Sequence, residues 1–204
     1  MTNPSPTPEP QLPTAETLYA IYFSRWMPDE DPRAPQLRSD LEEIEDLGGA
    51  PLQSLSPLTP EGHKHVAAQL RQMETAAVQD LAALLGMETP PGPDWLDALE
   101  AKATPAQLQT WLRGSDPARP DNTYFLLCCE TGALIARLLR QKWPALTWLH
   151  DFPYFESSLF DLNQKVMIPV FHWAVKTLSG DERQPLRQKV EGTVDFLKKS
   201  ASIS

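Results

Sequence analysis

Residues 122–179, NTYFLLCCETGALIARLLRQKWPALTWLHDFPYFESSLFDLNQKVMIPVFHWAVKTLS, decide the fold because they hold most of the bulky apolar side chains. In the first part, apolar residues recur at steps of three and four between Tyr124 and Leu139, which is the spacing of one helix face. Three polar residues fall on the opposite side: Glu130, Arg137 and Gln141. The pattern predicts a long buried helix that ends before Pro144, because proline disfavours helical dihedral angles in its predecessor.

After Pro144 the pattern changes to that of a small sheet. Residues 146–150 alternate in character, and residues 165–168 are another short run that favours a strand. Between them, residues 161–164 read DLNQ, which is typical of a tight turn. An amphipathic pattern over residues 173–178 then stops at Gly180. We therefore expect two or three short antiparallel strands followed by a helix.

On both sides of this stretch the sequence predicts further helices. Thr14, Thr59 and Thr104 suit helix caps, and the last two precede a proline, which is tolerated at the first helical position. The predicted helices cover residues 14–27, 37–47, 60–85, 94–102, 104–113 and 185–199. These elements indicate a mostly helical α+β fold.

The expected domain organisation is a tail and one globular unit. The proline-rich residues 1–13 are predicted to be a disordered tail. Residues 14–204 are predicted to be a single domain, in which a helical half (14–114) packs on an α+β half (118–204). The α+β half is expected to contain the small antiparallel sheet.

The charge of the chain favours one class of partner. The 204 residues carry 27 acidic and 18 basic side chains, a formal net charge of −9. Acidic residues concentrate in residues 29–46, where Asp40, Glu43 and Asp46 follow at three-residue steps and share one helix face. Phosphate binding requires basic side chains, so we expect no nucleic-acid ligand. The same charge suits a basic protein partner, with these three residues as contacts.

Location and cofactors are predicted from what the sequence does not contain. It has no apolar run of the roughly 18 residues needed to span a membrane, so no membrane partner is expected. The first residues do not resemble a secretion signal, and the two cysteines are adjacent, which together indicate a cytoplasmic setting. His63 and His65 are spaced poorly for metal binding on a helix, and no nucleotide motif is present. We expect neither a metal nor a cofactor.

Catalysis by cysteine is the alternative prediction. Cys128 or Cys129, with His150 or His172, would supply the thiol and the imidazole base of a hydrolase or transferase. A reactive thiol is favoured at a helix N-terminus, whereas the spacing places both cysteines inside the helix. Packing in the core is therefore the preferred interpretation of this pair.

Aromatic side chains in the connection between the strands are candidate contacts for a partner. Tyr154 and Phe155 follow Pro153 in this connection, where large aromatic side chains are expected to be more exposed than usual. Protein interfaces are enriched in such residues. We therefore expect both residues to take part in partner binding.

Residues 122–180 resemble small uncharacterised bacterial α+β domains found among immunity and toxin-neutralising proteins. The shared pattern is a helix with a central glycine (Gly132), a strand with tryptophan (Trp148), a hairpin, and a proline–aromatic step into a helix (Pro169, Phe171). The resemblance implies a non-enzymatic inhibitor that occludes a site on a basic protein. A structural component of a larger assembly is a further alternative.

Overall fold

The computed structural model describes residues 12–27, 58–88, 90–182 and 184–202. They form a mostly helical α+β fold, as predicted. The helices are α1 (Ala15–Tyr22), α2 (Pro60–Leu85), α3 (Pro93–Lys102), α4 (Pro105–Arg113), α5 (Thr123–Lys142), α6 (Val170–Ser179) and α7 (Leu186–Ala201). The strands are β1 (Thr147–Leu149), β2 (Ser158–Asp161) and β3 (Val166–Ile168), and single 3-10 turns occupy Ser24–Trp26 and Tyr154–Glu156.

Helix α5 is the centre of the core. Apart from Leu126 and Arg137, its residues from Tyr124 to Leu139 are buried. It packs against α2, α6 and α7, while α1 packs on α6. The N-terminal helices therefore lie against the C-terminal strands and helices, as the sequence predicts.

The three strands form one antiparallel sheet in the order β1-β2-β3. The middle strand has no alternating pattern because all four of its residues are buried. At its end, the Asp161 carboxylate accepts hydrogen bonds from the backbone nitrogens of Asn163 and Gln164, at 2.9 and 3.1 Å. This side chain closes the predicted turn before β3.

Local sequence signals explain most helix starts. The hydroxyls of Thr14, Thr59 and Thr104 each accept a hydrogen bond from the backbone nitrogen three residues later, as the cap prediction requires. Helix α5 begins in the same way, with the Asn122 side chain accepting from the nitrogen of Phe125 at 2.9 Å. Each cap satisfies a backbone donor that has no partner within its helix.

Gly132 lets α5 and α6 approach each other closely. A Cβ atom at this position would lie 2.5 Å from the Phe171 ring and 3.1 Å from the Phe171 Cα atom. Such contacts are too short for any side chain. The central glycine of α5 is therefore explained by the packing of Phe171 across it.

Some sequence predictions lie outside the described residues. These are residues 1–11 of the predicted tail and the acidic segment 29–46, with Asp40, Glu43 and Asp46. In the part of the chain that the structure describes, no helix combines the length and the apolar character needed to cross a membrane.

Candidate functional site

The two cysteines lie inside α5, away from its N-terminus, and both are buried. Cys128 lies against Tyr124, and Cys129 lies against Tyr154. Burial raises the pKa of the Cys129 thiol to about 12 and moves the pKa of Cys128 well above its ordinary value. Both thiols are therefore protonated at neutral pH, whereas the nucleophile of a cysteine enzyme is a thiolate.

His150 has a histidine partner. Its Nδ1 atom lies 3.3 Å from Nδ1 of His63, so β1 and the first turn of α2 are joined there. Burial lowers the pKa of His150, and the nearby His63 and Arg71 lower it further. His150 is thus held neutral at neutral pH.

His172 belongs to a different cluster, at a pocket of about 270 Å³ beside α1 and α6. Its ring stacks on Tyr19 at 5.0 Å between centroids, and its Nε2 atom lies 3.7 Å from Oε2 of Glu156. The Tyr19 hydroxyl donates a hydrogen bond to the other oxygen of Glu156. Burial, together with Glu156, strongly raises the pKa of Tyr19. Among the described residues, neither candidate histidine forms a hydrogen bond with a cysteine.

The two aromatic contact candidates differ in their surroundings: Tyr154 lines a pocket, whereas Phe155 is buried. Phe155 is 2% exposed, and its ring makes edge contacts with Phe23 and Phe125. The expectation that Phe155 is unusually exposed is wrong, because the 3-10 turn directs its ring into the core. Tyr154 is half-buried and lines a pocket between α2 and α5.

This pocket, which we call the acidic pocket, has a volume of about 330 Å³. Its polar lining comes from Gln69, Gln72 and Asp80 of α2, Glu130 of α5, and Tyr154. The three α2 residues lie on one face because steps of three, four or eleven residues return to the same side of a helix. Met73, Ala76 and Leu126 complete the walls.

Glu130 is the unusual group in the acidic pocket. It is only 7% exposed, although its helical position predicts the polar side of α5. Burial raises its pKa to about 8, with a further contribution from the adjacent, exposed Asp80. At neutral pH the Glu130 carboxyl therefore keeps its proton.

The pocket also has an unused acceptor. The Oε1 atom of Gln69 is fully buried and has no hydrogen-bond partner in the described part of the chain. Buried acceptors are normally satisfied by protein or by water. The two carboxyl groups make the pocket complementary to a ligand that donates hydrogen bonds and carries positive charge.

The sequence contains only part of this site. The spacing of Gln69, Gln72 and Asp80 is visible as a polar face of the predicted helix. Their meeting with Glu130 depends on how α2 packs against α5, and no local pattern indicates this. Among the described residues, no group of three histidine, cysteine or acidic side chains is placed to hold a metal ion.

Fold and pocket together define a mostly helical α+β protein with a half-buried acidic site. The chain matches no protein-family model, and comparison with curated proteins and with solved structures finds no significant match. The functional argument therefore depends on the chemistry of the pocket.

Proposed function

We propose that this is a non-enzymatic binding protein whose acidic pocket takes up a lysine or arginine side chain of a basic protein partner. The observation that carries the proposal is the carboxyl pair of Glu130 and Asp80, which lines an open pocket beside the unpaired acceptor of Gln69. Tyr154, a contact residue predicted from the sequence, lies in the same pocket.

A bound lysine or arginine side chain would replace the Glu130 proton as the positive charge beside that carboxyl group. Burying a carboxylate without a positive partner is unfavourable, so Glu130 remains protonated while the pocket is empty of cations. An ammonium or guanidinium group offers several donors and a full positive charge to the two carboxyl groups. Binding would then release the Glu130 proton, and the net charge of −9 would speed the encounter with a basic partner.

The size of the pocket supports a side chain as the occupant. About 330 Å³ holds one long side chain, and the apolar walls from Met73, Ala76 and Leu126 suit its methylene groups. Occlusion of a partner's site by an immunity-type inhibitor is the finer form of the proposal, and it rests on the resemblance of residues 122–180. Burial of both thiols speaks against the cysteine hydrolase or transferase.

The test is binding of N-acetyl-lysine methylamide, followed by NMR or calorimetry in the wild type, Asp80→Asn, Glu130→Gln and Asp195→Asn. We expect saturable binding whose affinity rises by up to about tenfold per pH unit as the pH approaches 8, since binding releases one proton. Asp80→Asn and Glu130→Gln should each weaken binding by about tenfold or more. Asp195 is exposed on α7, so Asp195→Asn should bind like the wild type.

A natural partner is then sought by affinity capture from a lysate of the source cells. We expect the wild type to retain a basic protein that the Asp80→Asn/Glu130→Gln double variant loses. Equal probe binding by the double variant and the wild type would reject the acidic pocket as the site. Retention of the same protein by both chains would reject it as the partner surface.

A further inference from the structure

A second pocket lies against the C-terminal half of α5 and has the opposite charge. It has a volume of about 340 Å³ and is lined by Arg137, Arg140 and Gln141 of α5, Glu74 of α2, and Pro144. The three α5 residues share one face, because steps of three and four return to the same side of a helix. We call it the arginine pocket.

Only one of the two arginines is neutralised. The Arg140 Nη1 atom donates to Oε1 of Glu74 at 2.8 Å, and that oxygen also accepts from Nε1 of Trp148 at 3.0 Å. Arg137 forms no salt bridge with any carboxylate in the described ranges, and its Nε atom is fully buried without an acceptor. The pocket therefore has one unneutralised positive charge and one unsatisfied buried donor.

This arrangement is unfavourable while the pocket holds no anion. Like charges three residues apart on a helix repel each other. In addition, a buried donor that has lost its hydrogen bond to water and gained no other makes the folded state less stable. Arg137 also stands out in a chain of net charge −9, where carboxylates outnumber basic side chains. An anion in the pocket would neutralise the unpaired charge of Arg137 and so remove the repulsion between the two arginines.

We propose that the arginine pocket binds a small monocarboxylate. The planar guanidinium of Arg137 matches a carboxylate in geometry and can donate two parallel hydrogen bonds to it. The side-chain amide of Gln141 supplies a further donor, and Pro144 offers an apolar surface to the carbon end of the ligand. A doubly charged phosphate fits less well, because the Glu74 carboxylate lies in the same pocket and only one positive charge is free.

The site is independent of the acidic pocket and of the proposed partner. It uses other side chains of α2 and α5, and it selects a ligand of opposite charge. Loss of carboxylate binding would therefore leave the proposed protein-binding function intact, and the reverse also holds.

Titration with sodium propionate at constant ionic strength, followed by the Nε–Hε signals of the arginines in NMR, tests the proposal. We expect a saturable shift of the Arg137 signal with a dissociation constant on the order of 1 mM, typical of a small ligand held by a few hydrogen bonds. Inorganic phosphate should bind about tenfold more weakly. Arg137→Gln should weaken propionate binding by about tenfold or more.

Two further variants complete the test. Lys142→Gln removes a nearby exposed charge from the same helix end and should leave propionate binding unchanged. Arg137→Lys keeps the charge but not the planar donor pair, so we expect intermediate affinity. If Arg137→Gln does not fold, the propionate affinity of Arg137→Lys tests the role of Arg137. The proposal is overturned by a linear, non-saturating shift, by equal affinity in a folded Arg137 variant, or by tighter binding of phosphate than of propionate.

Discussion

The proton on Glu130 makes the stability of the protein depend on pH. The native pKa of about 8 is raised from an ordinary value near 4.5 by burial and by Asp80. At pH values between these two pKa values, Glu130 is protonated in the native state and ionised in the unfolded chain. The stabilisation that this proton provides is complete below about pH 4.5 and is lost as the pH rises through about 8. Stability therefore falls with rising pH in this interval.

We expect Glu130→Gln to reduce this dependence. Glutamine has nearly the same shape but no carboxyl proton to lose, so between pH 5 and pH 9 the variant should lose about 1–3 kcal/mol less stability than the wild type. Urea unfolding at both pH values measures the difference, and exposed Asp195→Asn provides the control. Parallel pH profiles of Glu130→Gln and the wild type would show that Glu130 titrates normally.

Gly132→Ala tests the close approach of α5 and α6. The added methyl group would lie 2.5 Å from the Phe171 ring, so α6 or the ring must move. We expect a loss of about 1–3 kcal/mol in the free energy of unfolding, measured by urea denaturation. Gly192→Ala is the matched control, because nothing lies within 4 Å of its added Cβ atom on α7. That variant should gain about 0.5–1 kcal/mol, since alanine favours a helix over glycine.

Side-chain roles were predictable from the sequence where they depend on near neighbours. A threonine cap bonds to a backbone nitrogen only three residues later, so it can be predicted from the local sequence. Burial of Cys128 and Cys129 follows from the spacing of apolar residues within α5. Glu130 and Phe155 could not be placed in this way. Their environments are supplied by Asp80 and Phe23, which are about 50 and more than 100 residues away along the chain.

Polar contacts at two positions along helix α2 connect it to the rest of the fold. His63 joins its first turn to the end of β1, and Glu74 joins its middle to α5 and β1 through Arg140 and Trp148. Contacts of this kind add to the apolar packing along the α2–α5 interface.

His150 should make the protein less stable in acid. Because burial, His63 and Arg71 lower the native pKa of His150, the unfolded chain binds a proton near pH 6.5 that the native chain resists. This contribution to stability is present above about pH 6.5 and is lost as the pH falls towards the native pKa. We expect His150→Gln to lose less stability than the wild type between pH 7.5 and pH 5.5.

Thermal or urea unfolding at the two pH values measures this effect. His65→Gln is the matched control, because His65 is exposed and lies on the same turn of α2 as His63. This substitution should not change how stability depends on pH. If His150→Gln and the wild type lose the same stability between the two pH values, the loss is not caused by protonation of His150.

The boundaries of helices were predicted more closely than those of strands. Proline, glycine and capping residues mark the helix ends in the sequence, and α2 begins and ends as predicted. Strand β2 has no such mark, because it lies between two strands and its four residues are all buried. Alternation identifies a strand with one solvated face, and β2 has none.

Burial of the thiols is a property of the whole molecule, because helices from both halves of the chain cover α5. We expect a small alkylating reagent to modify the wild type slowly near neutral pH, at a rate set by the population of opened molecules. Leu197→Ala removes a fully buried side chain of α7 and should cost about 2–5 kcal/mol. If opening is global, labelling should accelerate by about tenfold for each 1.4 kcal/mol lost.

The neighbouring Phe196→Ala is the control, because Phe196 is 54% exposed and its loss should change both stability and labelling little. Comparing the labelling rate with the urea-derived stability of each variant decides between two kinds of opening. If labelling of the wild type is fast and insensitive to Leu197→Ala, the thiols are reached by local motion of α5. That result would restore the cysteine enzyme as a competing function, since a locally accessible thiol can meet a substrate without unfolding. Slow labelling that follows global stability instead leaves the cysteines as packing residues and the acidic pocket as the proposed site.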